Sequence, residues 1–176
     1  MKIRIKFAKE GTMKFIGHLD IMRYFQKVMR RADVDIRYSE GFSPHQIMSF
    51  AAPLGVGLES RGEYVDIEVL STDSSKEMLR RINENMVEGM EALSYKALPD
   101  DAGNAMSLVA AADYKVRFRE GYEPADLDAF FAGIPAFLEQ EEIVIVKKTK
   151  KGEREVDIRP QIYRMETRPD HMIFLQ

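Results

Sequence analysis

Three side chains in the first third of the chain have the types that move protons or hold cations: His18, Asp20 and His45. A histidine pair can serve as general acid and base, and two imidazoles with a carboxylate can ligate a metal. The alternative is that His18 opens a helix and His45 hydrogen-bonds within its loop. On that second reading no catalytic residue, metal or cofactor is expected, and it is the reading preferred here. A different chemistry is offered by cations. Arg4 and Lys6 alternate with apolar residues near the start, Lys115, Arg117 and Arg119 do so later, and Arg23, Arg30 and Arg31 lie between. On an open sheet face such side chains meet phosphates, although Asp66 and Glu68 on a neighbouring strand would neutralise Arg4 and Lys6. Lys147 to Arg154 reads as a basic hairpin tip, suited either to polyanion contact or to protecting a sheet edge.

The elements that position these groups follow from periodicity. Ile3, Ile5 and Phe7 alternate with Lys2, Arg4 and Lys6, a strand pattern. Leu19, Met22, Phe25, Val28, Met29 and Ala32 recur at helical spacing and predict a helix over 18–32. Val34, Ile36 and Tyr38 read as a second strand, and 46–52 as a further one. Between and beyond them, residues 39–62 hold four glycines and two prolines, a loop whose closely spaced glycines let backbone amides approach a ligand. It contains neither a P-loop nor a dinucleotide-binding glycine pattern. Phe42 and Phe50 within it are either core anchors or exposed stacking groups. A strand over 64–70, a helix over 74–86 capped from Asp73/Ser74, and a strand over 90–98 complete the first half.

Residues 99–104, Pro-Asp-Asp-Ala-Gly-Asn, read as a linker. A short helix is expected within 105–112. The opening pattern then returns as Tyr114/Val116/Phe118 against Lys115/Arg117/Arg119, followed by a helix over 125–139 broken or kinked near Gly133 and Pro135, and a strand over 143–148. The fold class read from this is α+β: two tandem ferredoxin-like βαββαβ units, 1–98 and 105–176, the second incomplete. The final apolar run, Met172–Gln176, stops within a strand pattern and reads as a trimmed end.

Composition narrows the functions. The chain has no cysteine, which excludes disulfides, thiolate catalysis and Cys-ligated zinc or iron–sulfur centres. No apolar run approaches the roughly 18 residues of a membrane span, and the alternating N-terminus is unlike a signal peptide, so a cytoplasmic location without membrane contact is expected. The net charge of −3 hides a segregation: residues 1–50 balance at +5, 51–142 at −11 and 143–176 at +3. Such segregation makes a basic surface on an acidic protein, or is cancelled within the fold.

Three segments carry a resemblance. Phe15-Ile16-Gly17-His18-Leu19-Asp20 with Arg23 and Arg30-Arg31-Ala32, Tyr38-Ser39-Glu40-Gly41-Phe42-Ser43-Pro44-His45 continued by Ser49-Phe50, Pro53-Leu54, Gly57, Ser60 and Gly62-Glu63-Tyr64-Val65-Asp66, and Val156-Asp157-Ile158-Arg159-Pro160 resemble the motifs of the radical-SAM-linked protein family. The similarity is dense over 1–70 and sparse afterwards. The first half is also similar, more distantly and at the level of the fold, to the RAMP RNA-binding proteins and endoribonucleases of CRISPR systems. The resemblance implies a protein encoded beside, or fused to, a radical SAM protein that owns the cluster chemistry. The expected function is therefore a non-catalytic accessory module that binds transfer or ribosomal RNA and presents it to that partner. Contact residues are expected among Arg4, Lys6, Arg23, Arg30, Arg31, Ser39, Gly41, Phe42, Pro44, His45, Lys115, Arg117 and Arg159. Two alternatives stand beside it: a subunit that docks the radical SAM partner without touching nucleic acid, and a ribonuclease using His18 or His45.

Overall fold

The structure, a computed structural model, describes residues 1–149 and 152–176. It is mixed α+β with antiparallel sheets and divides into two units, Met1–Val109 and Ala110–Gln176. Among the described residues no helix is long and apolar enough to cross a membrane.

The first unit is organised by β1 (Lys2–Lys9), whose odd-numbered side chains are buried and whose even-numbered ones are half-exposed up to Lys6. Then come α1 (His18–Arg31), β2 (Met48–Phe50), β3 (Ser60–Glu68), α2 (Ser75–Glu84) and β4 (Met90–Leu98). The strand order is β2-β3-β1-β4, every neighbouring pair antiparallel. A helix therefore links β1 to β2 and β3 to β4, each time across a strand that lies between them. α1 buries Ile21, Phe25, Val28 and Met29 against the sheet, with the Phe7 and Phe25 ring centres 4.7 Å apart. α2 adds Met78 and Ile82, and its start is capped by Ser74, whose hydroxyl accepts from the Glu77 amide. In β4 the register against β1 skips Leu93. Asn83 repairs the gap: its Nδ2 donates to the Ala92 carbonyl at 3.0 Å, and the Ala92 amide donates to its Oδ1 at 2.7 Å.

Three expectations shift here. The strand expected over 34–38 is reduced to the isolated bridges Ile36–Val69 and Tyr38–Gln46, and that over 46–52 to the short β2. Both segments compete for the outer edge of β3, β2 pairing with Val65–Ile67 and residue 36 with Val69, so the chain between them turns outward as a loop. The segment 99–109, expected as a linker and the start of the second half, belongs to the first unit. Lys2 Nζ reaches the Ala102 carbonyl at 3.5 Å, Arg4 donates to Gly103, and the Ala105 amide at the start of α3 (Ala105–Leu108) donates to Asp66 Oδ2.

The second unit has a three-stranded sheet in the order β5-β9-β8, from β5 (Tyr114–Val116), β8 (Met165–Arg168) and β9 (Met172–Leu175). A separate two-stranded ribbon pairs β6 (Val144–Thr149) with β7 (Gly152–Asp157). The helix expected over 125–139 is two short ones, α4 (Leu127–Ala132) and α5 (Ile134–Leu138), divided at Gly133 with Pro135 in the first turn of the second. This order departs from a repeat of the first unit: the last strand is central, and the β6–β7 ribbon stands outside the sheet.

Candidate functional site

Residues scattered through the motif-bearing segments converge on one small cavity in the first unit. It is lined by Phe7 and Lys9 from β1, His18 and Ile21 from α1, Glu63 from β3, and Phe50, Ala52 and Leu54. Its floor holds a cation. Lys9 continues the buried odd series of β1 and is only 2% exposed, yet its ammonium makes one hydrogen bond, to the Ile16 carbonyl at 2.8 Å. Burial pushes the Lys9 pKa down, opposed by the charge of Glu63. His18 opens α1 and sets its ring edge-on to Phe50, centres 5.4 Å apart. At about 10 Å³ the cavity admits a single water-sized molecule. What this arrangement does is anchor the turn that starts α1; it has no room for a substrate.

Beside it stands the loop 39–45. Its base is closed by Ser39 and His45: the Ser39 amide donates to the His45 carbonyl at 2.8 Å, and the Ser39 hydroxyl meets His45 Nδ1 at 2.9 Å and accepts from the His45 amide. Gln46, buried, ties the loop to α1 through Nε2 to the Gln26 carbonyl at 3.2 Å, and also faces the Tyr38 hydroxyl. Its Oε1 is a buried acceptor without a partner among the described residues. Gly41 at φ +107° turns the tip, a conformation that favours glycine, and Phe42 beside it is fully exposed at 112%. Pro44 is exposed as well. Phe50, by contrast, is core.

Several expected site residues have other employment. Arg4 forks onto Asp66, Nε–Oδ1 2.8 Å and Nη2–Oδ2 2.9 Å, and donates to the Gly103 carbonyl at 3.1 Å. The sheet face expected to be open is thus occupied at Arg4 by residues 102–105. Lys6 lies 5.9 Å from the Tyr64 ring centre. Asp20 pairs with Arg23 at 3.2 Å rather than with His18, and Arg30 Nε turns back to the Gln26 carbonyl. Arg31, Lys115 and Arg117 are exposed, and Arg159 is half-buried behind Asp157, which accepts from its amide. His18 meets Phe50 and His45 meets Ser39, so the two imidazoles have separate partners. Among the described residues no three His, Asp or Glu side chains are grouped to hold a metal. Of the basic hairpin tip, Lys150 and Lys151 lie outside the described residues.

The residues that sequence reasoning missed are Lys9 and Gln46. Lys9 has no clear signal in the sequence: Ala8 beside it is buried too and the register slips between Phe7 and Lys9, so alternation alone does not place it in the core. Gln46 has none either, because its burial depends on how the loop folds back on α1.

A family model described as "Uncharacterized protein conserved in bacteria (DUF2344)" matches residues 2–176. No curated protein matches the chain.

Proposed function

The chain belongs to the DUF2344 family of bacterial proteins, and we propose that it acts as a non-catalytic accessory module of a radical SAM protein, which it engages through the loop 39–45. The observation that carries this reading is Phe42, a fully exposed aromatic held at the tip of a loop whose base is fixed by Ser39, His45 and Gln46. Exposing a phenylalanine to water gains nothing for folding, and aromatic anchors on preformed loops are typical of interface centres. The reading of the first unit as ferredoxin-like is supported by its strand order and its two helical crossings. For the ribonuclease alternative the two imidazoles do not form a pair: His18 faces Phe50 and His45 faces the Ser39 hydroxyl.

The test is the affinity of the full chain for the radical SAM protein encoded beside it, by calorimetry, with wild type and Phe42→Ser. A weakening of about 30-fold, equivalent to roughly 2 kcal/mol for an interface anchor, is the expected result. Equal affinity would remove the loop from the interface, and no binding by the wild type would remove the docking role.

Presentation of RNA to the same partner is a second reading. Its support within the first unit is the row Lys27, Arg30 and Arg31, exposed on α1. The second unit offers a sharper feature.

A further inference from the structure

The two faces of the β6–β7 ribbon differ in charge. Pairing sets Val144 opposite Asp157, Val146 opposite Glu155 and Lys148 opposite Glu153, and alternation puts these on one face. There Lys148 and Glu153 form an ion pair at 3.3 Å. The other face sets Ile145 opposite Val156 and Lys147 opposite Arg154. Both of these cations are exposed, and neither has a charged partner among the described residues. Like charges directly opposite across two strands repel. Protection of a strand edge does not require that cost, because a lysine opposite an acid, as at Lys148–Glu153, serves equally well.

We propose that the face formed by Lys147 and Arg154, flanked by Ile145 and Val156, binds the phosphodiester backbone of single-stranded RNA. Cross-strand neighbours have Cβ atoms about 5 Å apart, so both cations reach one phosphate or two consecutive ones. The guanidinium grips phosphate oxygens as a fork, and the ammonium acts as a point charge. A bound phosphate offsets the repulsion that the free ribbon carries. Among the described residues the opposite face presents Glu153 and Glu155, with Asp157 half-buried behind them, against Lys148, and repels the same backbone, so contact is one-sided. Among the described residues the cations have Ile145, Val156 and Thr149 beside them and no aromatic or amide side chain to read a base edge, so binding is independent of sequence. This inference rests on the RNA-presenting reading above and moves its site from the β1 face, where Arg4 is held by Asp66, to the ribbon.

The experiment follows fluorescence anisotropy of a labelled poly(U) oligonucleotide with the full chain over a salt series. The variants are the double Lys147→Ala/Arg154→Ala and, on the other face, Lys148→Ala. At about 0.7 in slope per cation for a single strand, the double variant is expected to show a log K against log salt slope shallower by about 1.4, and about tenfold weaker binding at low salt. Lys148→Ala should stay close to wild type. Should the alanine pair disturb the hairpin by circular dichroism, Lys147→Gln/Arg154→Gln keeps the stems and removes only the charge. Undiminished binding by the double variant overturns the site while leaving RNA presentation standing; no retention of poly(U) by the wild type overturns both. An equal loss in Lys148→Ala, or binding to phosphatidylserine vesicles without binding to poly(U), also overturns the proposal.

Discussion

Lys9 shows how a single side chain can be committed to structure while looking like chemistry. Its ammonium sits beneath His18 and beside Glu63, a trio that on paper suits proton transfer, but the cavity admits no more than a water-sized molecule. The bond to Ile16 makes it the anchor of the turn that precedes α1. Burial lowers its pKa from 10.5, so between the folded value and 10.5 the unfolded chain holds the proton more tightly than the folded one. Stability attributable to Lys9 therefore rises as pH rises through that window, and the burial penalty is complete below it. Lys9→Met has no such group. Urea melts of the two proteins should show the wild type gaining on the variant as pH approaches 10.5; a difference that does not change with pH would mean that Glu63 and water already solvate the ammonium. Arg4 teaches the same lesson from the other side. Read along β1 it is an exposed cation, but its bidentate pair with Asp66 is largely buried and holds residues 103–105 to the sheet.

At the scale of elements, the junctions decide more than the elements do. Gly89, at φ +85°, precedes β4, and its carbonyl accepts from the Glu10 amide at 2.8 Å. A Cβ built there would meet the Glu10 carbonyl oxygen at 2.6 Å, with backbone on both sides of the clash. Gly89→Ala therefore combines left-handed strain with a steric conflict that no rotamer relieves, and it should cost about 3 kcal/mol by urea denaturation. A loss under about 0.5 kcal/mol would show that the β1 and β4 ends can separate freely, since ordinary surface changes stay within that range. The loop 39–45 is the opposite kind of junction. Its closing contacts are local, and Phe42 at its tip rests on nothing, so the loop is shaped by its own base rather than by what its tip touches.

For the molecule as a whole, burial is uneven. The first unit encloses a continuous core running from Ile3 and Phe7 through Phe25 and Val28 to Val65, Ile67 and Tyr95. In the second, the buried apolar side chains among the described residues are Ile134, Ile143 and Ile173, while Val144, Ile145 and Val146 on the ribbon are exposed. Amides that open only with the core exchange slowest, and those with little buried surface above them exchange early. Hydrogen exchange should accordingly protect β1, β3 and α1 most strongly and leave the β6–β7 ribbon fast. Equal protection of the ribbon in the isolated chain would reveal a covering surface, supplied for example by a second copy.

The local elements were legible without tertiary structure wherever one periodicity ruled. The alternation of β1, the stripe of α1, the Ser74 cap and the break at Gly133 each depend on residues within a few positions of one another. Tertiary structure alone decided what each exposed face meets. The Asp66 partner of Arg4 was among the sequence's alternatives, but Glu68 went to Arg37 rather than Lys6, residues 34–50 divided one sheet edge between two segments, and 99–109 joined the first unit because backbone groups there found Lys2, Arg4 and Asp66. The physical reason is that hydrophobic spacing specifies which side of an element is dry, but a charge on the wet side takes whichever counter-charge or carbonyl the fold brings near. For the same reason Phe42, and the opposed Lys147 and Arg154, acquire meaning only once the register and burial around them are known.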